Sequence, residues 1–318
     1  MKALTIAELA HALTLRDNFI LLTHRRPDGD TIGSAVALCR ALRGLGKTAS
    51  LLDNPQFTPK YRPFYEGLTV EAVPENACLV AVDTAAVQML SYSALPYAAG
   101  ISFLIDHHER SGAYAAEGHV DPRAAACGEL IFALLQQLGV QLSAPIAEAI
   151  YVAVSTDTGC FRFSNTTANT LRVAAACKEC GADTFAINQV MFLTKRFARL
   201  KLEAYLTETT ALYANGLVAI SQVSNDVRSE LGITEDDIED ISGFGRAIEG
   251  VEIAIMLRQE GEQTKLSVRT SPRYHASSIC AELGGGGHAA AAGATYDGSL
   301  KATQEEILRV LKKQGIAI

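Results

Sequence analysis

One short segment near the amino terminus combines three side chains that could bind a metal ion. His24, Asp28 and Asp30 lie within seven residues, directly after the apolar run Phe19–Leu22. A continuous apolar run of this kind predicts a strand buried on both faces of a parallel sheet. The intervening proline and glycine predict a turn, so the imidazole and both carboxylates can converge at the carboxyl end of that strand. Taken alone, the segment is equally compatible with a turn that carries solvated acids.

Three further apolar segments in the first half of the chain also lead into aspartate or histidine. An isolated buried aspartate commonly caps a helix or satisfies a core group, but unpaired buried carboxylates cost several kcal/mol each. Four separate placements therefore favour neutralisation by two divalent cations. The three segments are Ala77–Val82, followed by Asp83; Ile101–Ile105, followed by Asp106, His107 and His108; and Ile146–Val154, which leads into Asp157.

The types of these side chains narrow the choice of metal. The cluster offers carboxylates and imidazoles but no thiolate. Such a donor set favours Mn²⁺, with Mg²⁺ or Co²⁺ as alternatives, over a structural zinc ion.

A run of four glycines near the carboxyl terminus, Gly284–Gly287, is followed by His288. Glycine runs are commonly flexible linkers. This one is bounded by a helical pattern over 276–283 and by a run of small residues that allows close backbone approach. Because glycine tolerates positive φ, successive N–H groups of Gly285, Gly286 and Gly287 can turn toward one anion, and His288 can add a hydrogen bond. Upstream, Arg269 closes a predicted strand and could clamp a terminal phosphate.

Together these motifs resemble those of the DHH phosphoesterase superfamily. The segment His24–Asp30, the isolated Asp83, the Asp-His-His triplet and the later Asp157 are similar to its four ordered motifs. The glycine run with His288 and the following Ala291–Gly293 resembles the signature of the DHH-associated C-terminal domain. The match runs from about Phe19 to Gly293 without a large insertion, which implies the stand-alone, NrnA-type subgroup. Cyclic-dinucleotide phosphodiesterases of similar length stand beside this subgroup.

The resemblance implies a role for each residue of the predicted site. One ion would be held by His24 and Asp28, the other by Asp30, His107 and Asp157, with Asp83 bridging both. The implied catalytic pair is Asp106, which would orient a neighbouring imidazole, and His108, which would contact the phosphate or assist the leaving group. The implied substrate-binding residues are Arg269, Gly285, Gly286, Gly287 and His288; Arg162 faces either the cleft or the solvent.

Length and patterning predict two α/β domains. The chain has 318 residues, and its first part alternates apolar strand patterns with helical ones. We expect a parallel-sheet catalytic domain over 1–185 with helices on both faces and a helical linker over 186–213. A smaller α/β substrate-binding domain over 214–318 would end in a helix at 300–313. The helical pattern of the linker continues to Tyr213.

The amino-acid composition limits the kinds of molecule that the protein is expected to bind. The net charge of −7 argues against binding long nucleic acid, which requires basic stripes. No apolar run is long enough to span a membrane, and the seven scattered cysteines indicate a reducing, cytoplasmic environment. The resemblance to the DHH phosphoesterases implies two-metal hydrolysis of short oligoribonucleotides and 3′-phosphoadenosine-5′-phosphate. The alternatives are a cyclic di-AMP or pApA phosphodiesterase and a nucleotide sensor without turnover; a homodimer is left open.

Overall fold

The protein, as a computed structural model, is described over residues 1–109, 111–238 and 241–318. Two compact units make up the chain, residues 1–194 and residues 195–318. The predicted linker, 186–213, contains the division between them. Within the described ranges, no helix combines the length and apolar character needed to cross a membrane.

The first unit is built on a seven-stranded sheet in which every strand pair is parallel. Its strand order is β1-β7-β6-β5-β2-β3-β4. The strands are β1 (Lys2–Ala3), β2 (Phe19–Leu22), β3 (Ala49–Leu52), β4 (Thr69–Val70), β5 (Cys78–Val82), β6 (Ile101–Asp106) and β7 (Glu117–Val120). The helices are α1 (Ile6–Thr14), α2 (Gly29–Gly44), α3 (Arg62–Tyr65), α4 (Cys127–Gln137), α5 (Ala144–Asp157), α6 (Ala168–Glu179) and α7 (Thr184–Asn188).

Both faces of this sheet are buried. In β2, Phe19 and Leu21 pack into the core beneath the α-helices, whereas Ile20 and Leu22 pack on the opposite face. That opposite face is covered by segments that include the 3₁₀ helices Val87–Met89 and Leu95–Gly100. Burial on two faces explains why these strands read as continuous apolar runs rather than as alternating patterns. The predicted parallel-sheet domain flanked by helices is confirmed.

The helices that carry the predicted site pack unusually closely. A Cβ atom added to Gly29 would lie 2.3 Å from Oγ1 of Thr156, and one added to Gly33 would lie 2.3 Å from the carbonyl oxygen of Ala149. These positions join α2 to α5, and they require glycine for steric reasons rather than for a special φ. The close approach brings the first turn of α2 beside Asp157, the last residue of α5.

The second unit contains a six-stranded mixed sheet of order β12-β13-β11-β10-β9-β8. Its strands are β8 (Ala211–Tyr213), β9 (Val218–Val223), β10 (Ile253–Glu260), β11 (Gln263–Thr270), β12 (Gly286–Gly287) and β13 (Ala291–Tyr296). Its helices are α8 (Phe197–Thr209), α9 (Asn225–Leu231), α10 (Ala276–Ala281) and α11 (Leu300–Lys313). The smaller α/β domain is thus present, and α11 has the predicted bounds.

One element of the second unit differs from the sequence prediction. The helical pattern was expected to continue to Tyr213, but α8 ends at Thr209 and residues 211–213 form β8. The reason is tertiary, since β8 pairs antiparallel with β9 across a short turn. This turn places Ala214 and Asn215 at positive φ, before Gly216.

Candidate metal centre

The predicted metal ligands lie at the carboxyl edge of the parallel sheet of the first unit. Asp83 directly follows β5, and Asp106 is the last residue of β6. His24 lies two residues beyond β2, on the loop that leads into α2. Asp28 caps that helix, because its Oδ1 accepts hydrogen bonds from the N–H groups of Asp30 and Thr31 at 3.0 and 3.1 Å.

Three overlapping groups of these side chains could each hold a metal ion. Within each group, one potential ligand atom of every member lies within 4.8 Å of the others. Asp83 belongs to two groups, one with the α2 loop and one with the histidine pair. The groups are His24, Asp28 and Asp83; Asp30, His107 and Asp157; and Asp83, His107 and His108.

Asp83 stands between imidazoles from two different loops. Its Oδ1 lies 3.5 Å from Nε2 of His107, and its Oδ2 lies 3.8 Å from Nε2 of His24. The residue is 2% exposed, and its backbone has φ +53°, a conformation that aspartate adopts infrequently. Such strain persists where the surrounding structure enforces it, as at functional sites.

In their neutral form, the two imidazoles present lone pairs rather than protons to these carboxylates. Nδ1 of His24 lies 2.8 Å from the carbonyl oxygen of Arg25, and Nδ1 of His107 lies 3.1 Å from that of Ala124. Because a carbonyl oxygen only accepts hydrogen bonds, Nδ1 carries the proton in each neutral ring. Each Nε2 is then an acceptor that faces carboxylate oxygens at distances too long for a hydrogen bond. Metal-binding histidines are commonly oriented in this way by their second ring nitrogen.

The buried carboxylates of Asp30, Asp83 and Asp157 carry negative charge that the described side chains do not fully balance. Oδ1 of Asp83 is buried and has no hydrogen-bond partner among them. Burial, followed by repulsion from Asp30 and Asp28, raises the pKa of Asp83 well above its usual value. Burial likewise raises the pKa of Asp157 to about 6. A divalent cation would supply the missing charge and the missing partner, so the residues fit a metal centre.

Asp30 also organises the neighbouring helix. Its carboxylate accepts hydrogen bonds from the N–H groups of Cys127 at 2.6 Å and Gly128 at 2.9 Å, the first residues of α4, and from the Ser34 hydroxyl at 3.0 Å. The N-cap residue of α4 makes no side-chain hydrogen bond to the helix. The Asp30 carboxylate therefore accepts hydrogen bonds from backbone N–H groups of the first turn, which have no partner within the helix. Its Oδ2 still lies 3.6 Å from Nε2 of His107. No local sequence pattern indicated this link across 97 residues.

Asp106 and His108 form a hydrogen-bonded pair beside the cluster. Nδ1 of His108 lies 2.7 Å from Oδ1 of Asp106, which is fully buried, whereas the His108 side chain is one-third exposed. The bond with Asp106 raises the pKa of His108 despite burial. Burial alone would raise the pKa of Asp106, but its bond with His108 outweighs that effect and the pKa lies below its usual value. Nε2 of His108 remains available for another partner.

Arg162, the remaining residue that was predicted in the first unit, folds back onto its own turn. Its Nε donates to the carbonyl oxygen of Gly159 at 2.6 Å, and the residue is exposed.

The glycine run of the second unit forms an edge strand rather than an open loop. Gly286 and Gly287 pair with Gly293 and Ala292 of β13, and the N–H of His288 donates to the carbonyl oxygen of Ala291 at 2.8 Å. The packing requires glycine, since a Cβ on the preceding Gly285 would lie 2.2 Å from a carbonyl oxygen of β13. The hairpin turn leaves His288 exposed.

Arg269 belongs to the same sheet. It pairs with Ala291 of β13 and Ala254 of β10, so small residues flank it on both sides. Its guanidinium donates to the carbonyl oxygen of Val268, and it forms no ion pair with a carboxylate of the described residues. Burial lowers the pKa of Arg269. A half-buried cation of this kind suits an anionic ligand.

A parallel α/β domain with carboxylates and imidazoles at its carboxyl edge, followed by a second α/β domain, defines a class of metal-dependent hydrolases. The model of the DHH family, N-terminal domain, matches residues 18–154, and that of the DHHA1 domain matches residues 215–314. The chain belongs to the DHH phosphoesterase family.

Similarity to individual proteins extends over nearly the whole chain. The bifunctional oligoribonuclease and PAP phosphatase NrnA of Thermus thermophilus is 34% identical over 92% of this chain and 89% of that protein. An exopolyphosphatase-related protein from Bacteroides fragilis shares the fold with a TM-score of 0.88 at 22% identity, covering 97% and 96% of the two chains. Exonuclease RecJ bound to manganese has a TM-score of 0.52 at 12% identity, covering 100% of this chain and 96% of that one.

Proposed function

We propose that this phosphoesterase hydrolyses short oligoribonucleotides and 3′-phosphoadenosine-5′-phosphate to nucleoside monophosphates. The observation that carries the chemistry is the buried Asp83 carboxylate, which lacks a hydrogen-bond partner and stands between two imidazole lone pairs. The full-length similarity to a bifunctional oligoribonuclease and PAP phosphatase supports this substrate class.

The cluster would hold two divalent cations, for which Mn²⁺ is the first candidate and Mg²⁺ or Co²⁺ are alternatives. When bound, such ions stabilise negative charge on a phosphoryl group and activate water at neutral pH. Manganese is the ion named for exonuclease RecJ, which shares the fold. In this proposal Asp83 contributes to both ions, since each of its oxygens faces a different imidazole. One ion would be held by His24 and Asp28, the other by Asp30, His107 and Asp157.

The remaining residues of the first unit would position the substrate and move a proton. Asp106 accepts the Nδ1–H of His108 and thereby fixes the orientation of that ring. The raised pKa of His108 keeps the ring protonated at higher pH than an isolated imidazole, so Nε2 can contact a phosphate oxygen or donate a proton to the leaving group. Arg162 stays a secondary candidate for phosphate contact.

The second unit would bind the end of the nucleotide that is remote from the scissile bond. The candidates are the exposed His288 and the half-buried Arg269, which lacks a carboxylate partner among the described residues. Residues Gly285, Gly286 and Gly287 would allow close approach of an anion to the hairpin backbone. This assignment retains the proposed organisation: a catalytic domain over 1–185, a linker over 186–213 and a substrate-binding domain over 214–318.

The net charge of the chain also supports binding of small ligands. The net charge of −7 supports binding of short nucleotides rather than long nucleic acid, because few local cations suffice for a short anion. We place the protein in the cytoplasm, free of membranes, and leave open its assembly as a homodimer.

The test is product analysis with purified protein and Mn²⁺. The panel is 3′-phosphoadenosine-5′-phosphate, di- to pentaribonucleotides, pApA, cyclic di-AMP and inorganic pyrophosphate. We expect turnover of the short RNAs to nucleoside monophosphates and of the bisphosphate to AMP and inorganic phosphate. Preference for cyclic di-AMP would instead assign the protein to the breakdown of that messenger. Absence of turnover on every nucleotide would overturn the proposed function.

His288→Ala is expected to raise KM for a dinucleotide about tenfold and to leave KM for bis(p-nitrophenyl) phosphate unchanged. Loss of one charge-assisted hydrogen bond, about 1.4 kcal/mol, accounts for this factor, and the generic diester has no remote nucleotide end to bind. The matched control is His11→Ala, which removes an exposed imidazole from α1 and should alter neither value. Equal increases in KM for both substrates would argue against binding of the remote end by His288.

A further inference from the structure

A separate cavity of about 330 Å³ opens in the first unit beside the loop of His24. Two of its lining residues, Arg25 and Arg26, directly follow His24 in the chain. The N–H of Arg25 donates to the carbonyl oxygen of Met89 at 2.6 Å. This bond ties one wall of the cavity to the segment after Asp83. The lining residues are Arg25, Arg26, Gln56, Met89 and Tyr92.

Hydrogen bonds join one wall of the cavity to the loop that carries His24. The buried amide of Asn54 donates to the Thr23 hydroxyl at 3.1 Å and to the carbonyl oxygen of His24 at 3.0 Å. Its Oδ1 accepts the N–H of Gln56 at 3.0 Å. One side chain thus joins the loop after β3 to the loop after β2, which fixes the position of Gln56 relative to His24.

Three features of the lining could bind a ligand. Neither Arg25 nor Arg26 forms an ion pair with a carboxylate in the part of the chain that the structure describes, and both are exposed. Tyr92 is 61% exposed, although it is a large aromatic residue. Oε1 of Gln56 is buried and has no hydrogen-bond partner among the described atoms. An anion, a flat apolar surface and a hydrogen-bond donor would complement these features, respectively.

A nucleotide supplies all three. Its phosphate pairs with guanidinium groups, its base stacks on an aromatic ring, and an exocyclic amino group donates to an amide oxygen. Adenine, cytosine and guanine carry such an amino group, whereas uracil does not. The volume is at the lower end of the range for ligand sites, which suits one nucleoside rather than an oligomer.

We propose that Arg25, Arg26, Gln56 and Tyr92 form a nucleotide subsite next to the metal centre. It holds the base and phosphate of the residue adjoining the scissile bond, and it favours bases with an amino group over uracil. This inference rests on the proposed function for its biological meaning. Its position on the His24 loop distinguishes it from the remote-end binding that we assign to the second unit.

The experiment measures binding of AMP, UMP and inorganic phosphate to the full-length chain by calorimetry, alongside dinucleotide turnover. Tyr92→Ala should weaken AMP binding at least tenfold and leave phosphate binding unchanged. Tyr92→Phe should bind AMP like the wild type, because stacking needs the ring and not the hydroxyl. Gln56→Leu should reduce the preference for AMP over UMP. Arg26→Ala should weaken binding of both nucleotides, whereas Arg172→Ala, on an exposed face of α6, should not.

The outcomes separate the subsite from the proposed function. If the wild type turns over the dinucleotide but Tyr92→Ala still binds AMP normally, the subsite is overturned and the proposed function stands. If the wild type shows no turnover but binds AMP in a way that depends on Tyr92, the subsite is supported and the proposed function is overturned. The subsite would also be overturned if the wild type did not bind AMP. The same holds if Tyr92→Phe and Tyr92→Ala weakened AMP binding equally.

Discussion

Asp83→Asn is expected to lower kcat/KM on a short nucleotide by about four orders of magnitude, or ~5.5 kcal/mol of transition-state stabilisation. The amide keeps the size of the side chain but removes the negative charge. Because each carboxylate oxygen of Asp83 faces a different imidazole, one substitution affects both proposed ion positions. The measurement is steady-state kinetics with saturating Mn²⁺, together with the number of ions bound per chain.

The same variant should be more stable than the wild type when no cation is present. The charge of Asp83 is buried and repelled by Asp30 and Asp28, and asparagine tolerates positive φ better than most residues. Asp121→Asn is a suitable control, because Asp121 follows β7 as Asp83 follows β5 but pairs with Arg123 instead. Near-normal turnover by Asp83→Asn would contradict the two-ion assignment.

Removal of divalent cations is expected to lower the Tm of the wild type by about 10 °C at pH 8 and by much less at pH 5. Ligand binding at about a thousand times Kd stabilises by ~4 kcal/mol, which corresponds to such a shift in a chain of this size. Calorimetry with EDTA or with Mn²⁺ at each pH provides the measurement.

The pH dependence follows from the raised pKa values of Asp30, Asp83 and Asp157. Without cations, the folded state binds more protons than the unfolded state, so the free energy of unfolding falls as pH rises. For Asp157, the free energy of unfolding falls over the pH range from its ordinary pKa of 3.8 to its raised pKa of about 6. Below about pH 6, which includes pH 5, protons compete with the cations for the Asp157 carboxylate. At pH 8 only the cations relieve the repulsion. An equal Tm shift at both pH values would contradict this account. In Asp83→Asn, the shift at pH 8 should be much smaller.

The sequence by itself determined which segments form the strands that carry the site and which residues lie at their ends. Apolar runs preceding His24, Asp83 and Asp106 predicted β2, β5 and β6, and all three strands are present. These features are local, because burial on both faces of a parallel sheet leaves a continuous apolar signature. The predicted bounds of α11 were also correct, since its amphipathic pattern and N-cap lie within one segment.

Only the tertiary structure decided features that depend on contacts between distant segments. Residues 211–213 became a strand because β9 was available to pair with them, despite their helical pattern. The run Gly286–Gly287 became an edge strand because β13 lies beside it, although glycine alone permits many conformations. The capping of α4 by Asp30 likewise joins residues far apart in the chain.

The proton positions and the additional cavity were likewise beyond the sequence. The tautomer of His107 depends on the carbonyl oxygen of Ala124, which the fold brings within 3.1 Å. Gln56 and Tyr92 lie outside every recognisable motif, and only the packing of three loops places them beside Arg25 and Arg26. A sequence pattern records which side of its own element a residue occupies. The partner that it meets there is set by how separate elements pack, and that information is distributed over the whole chain.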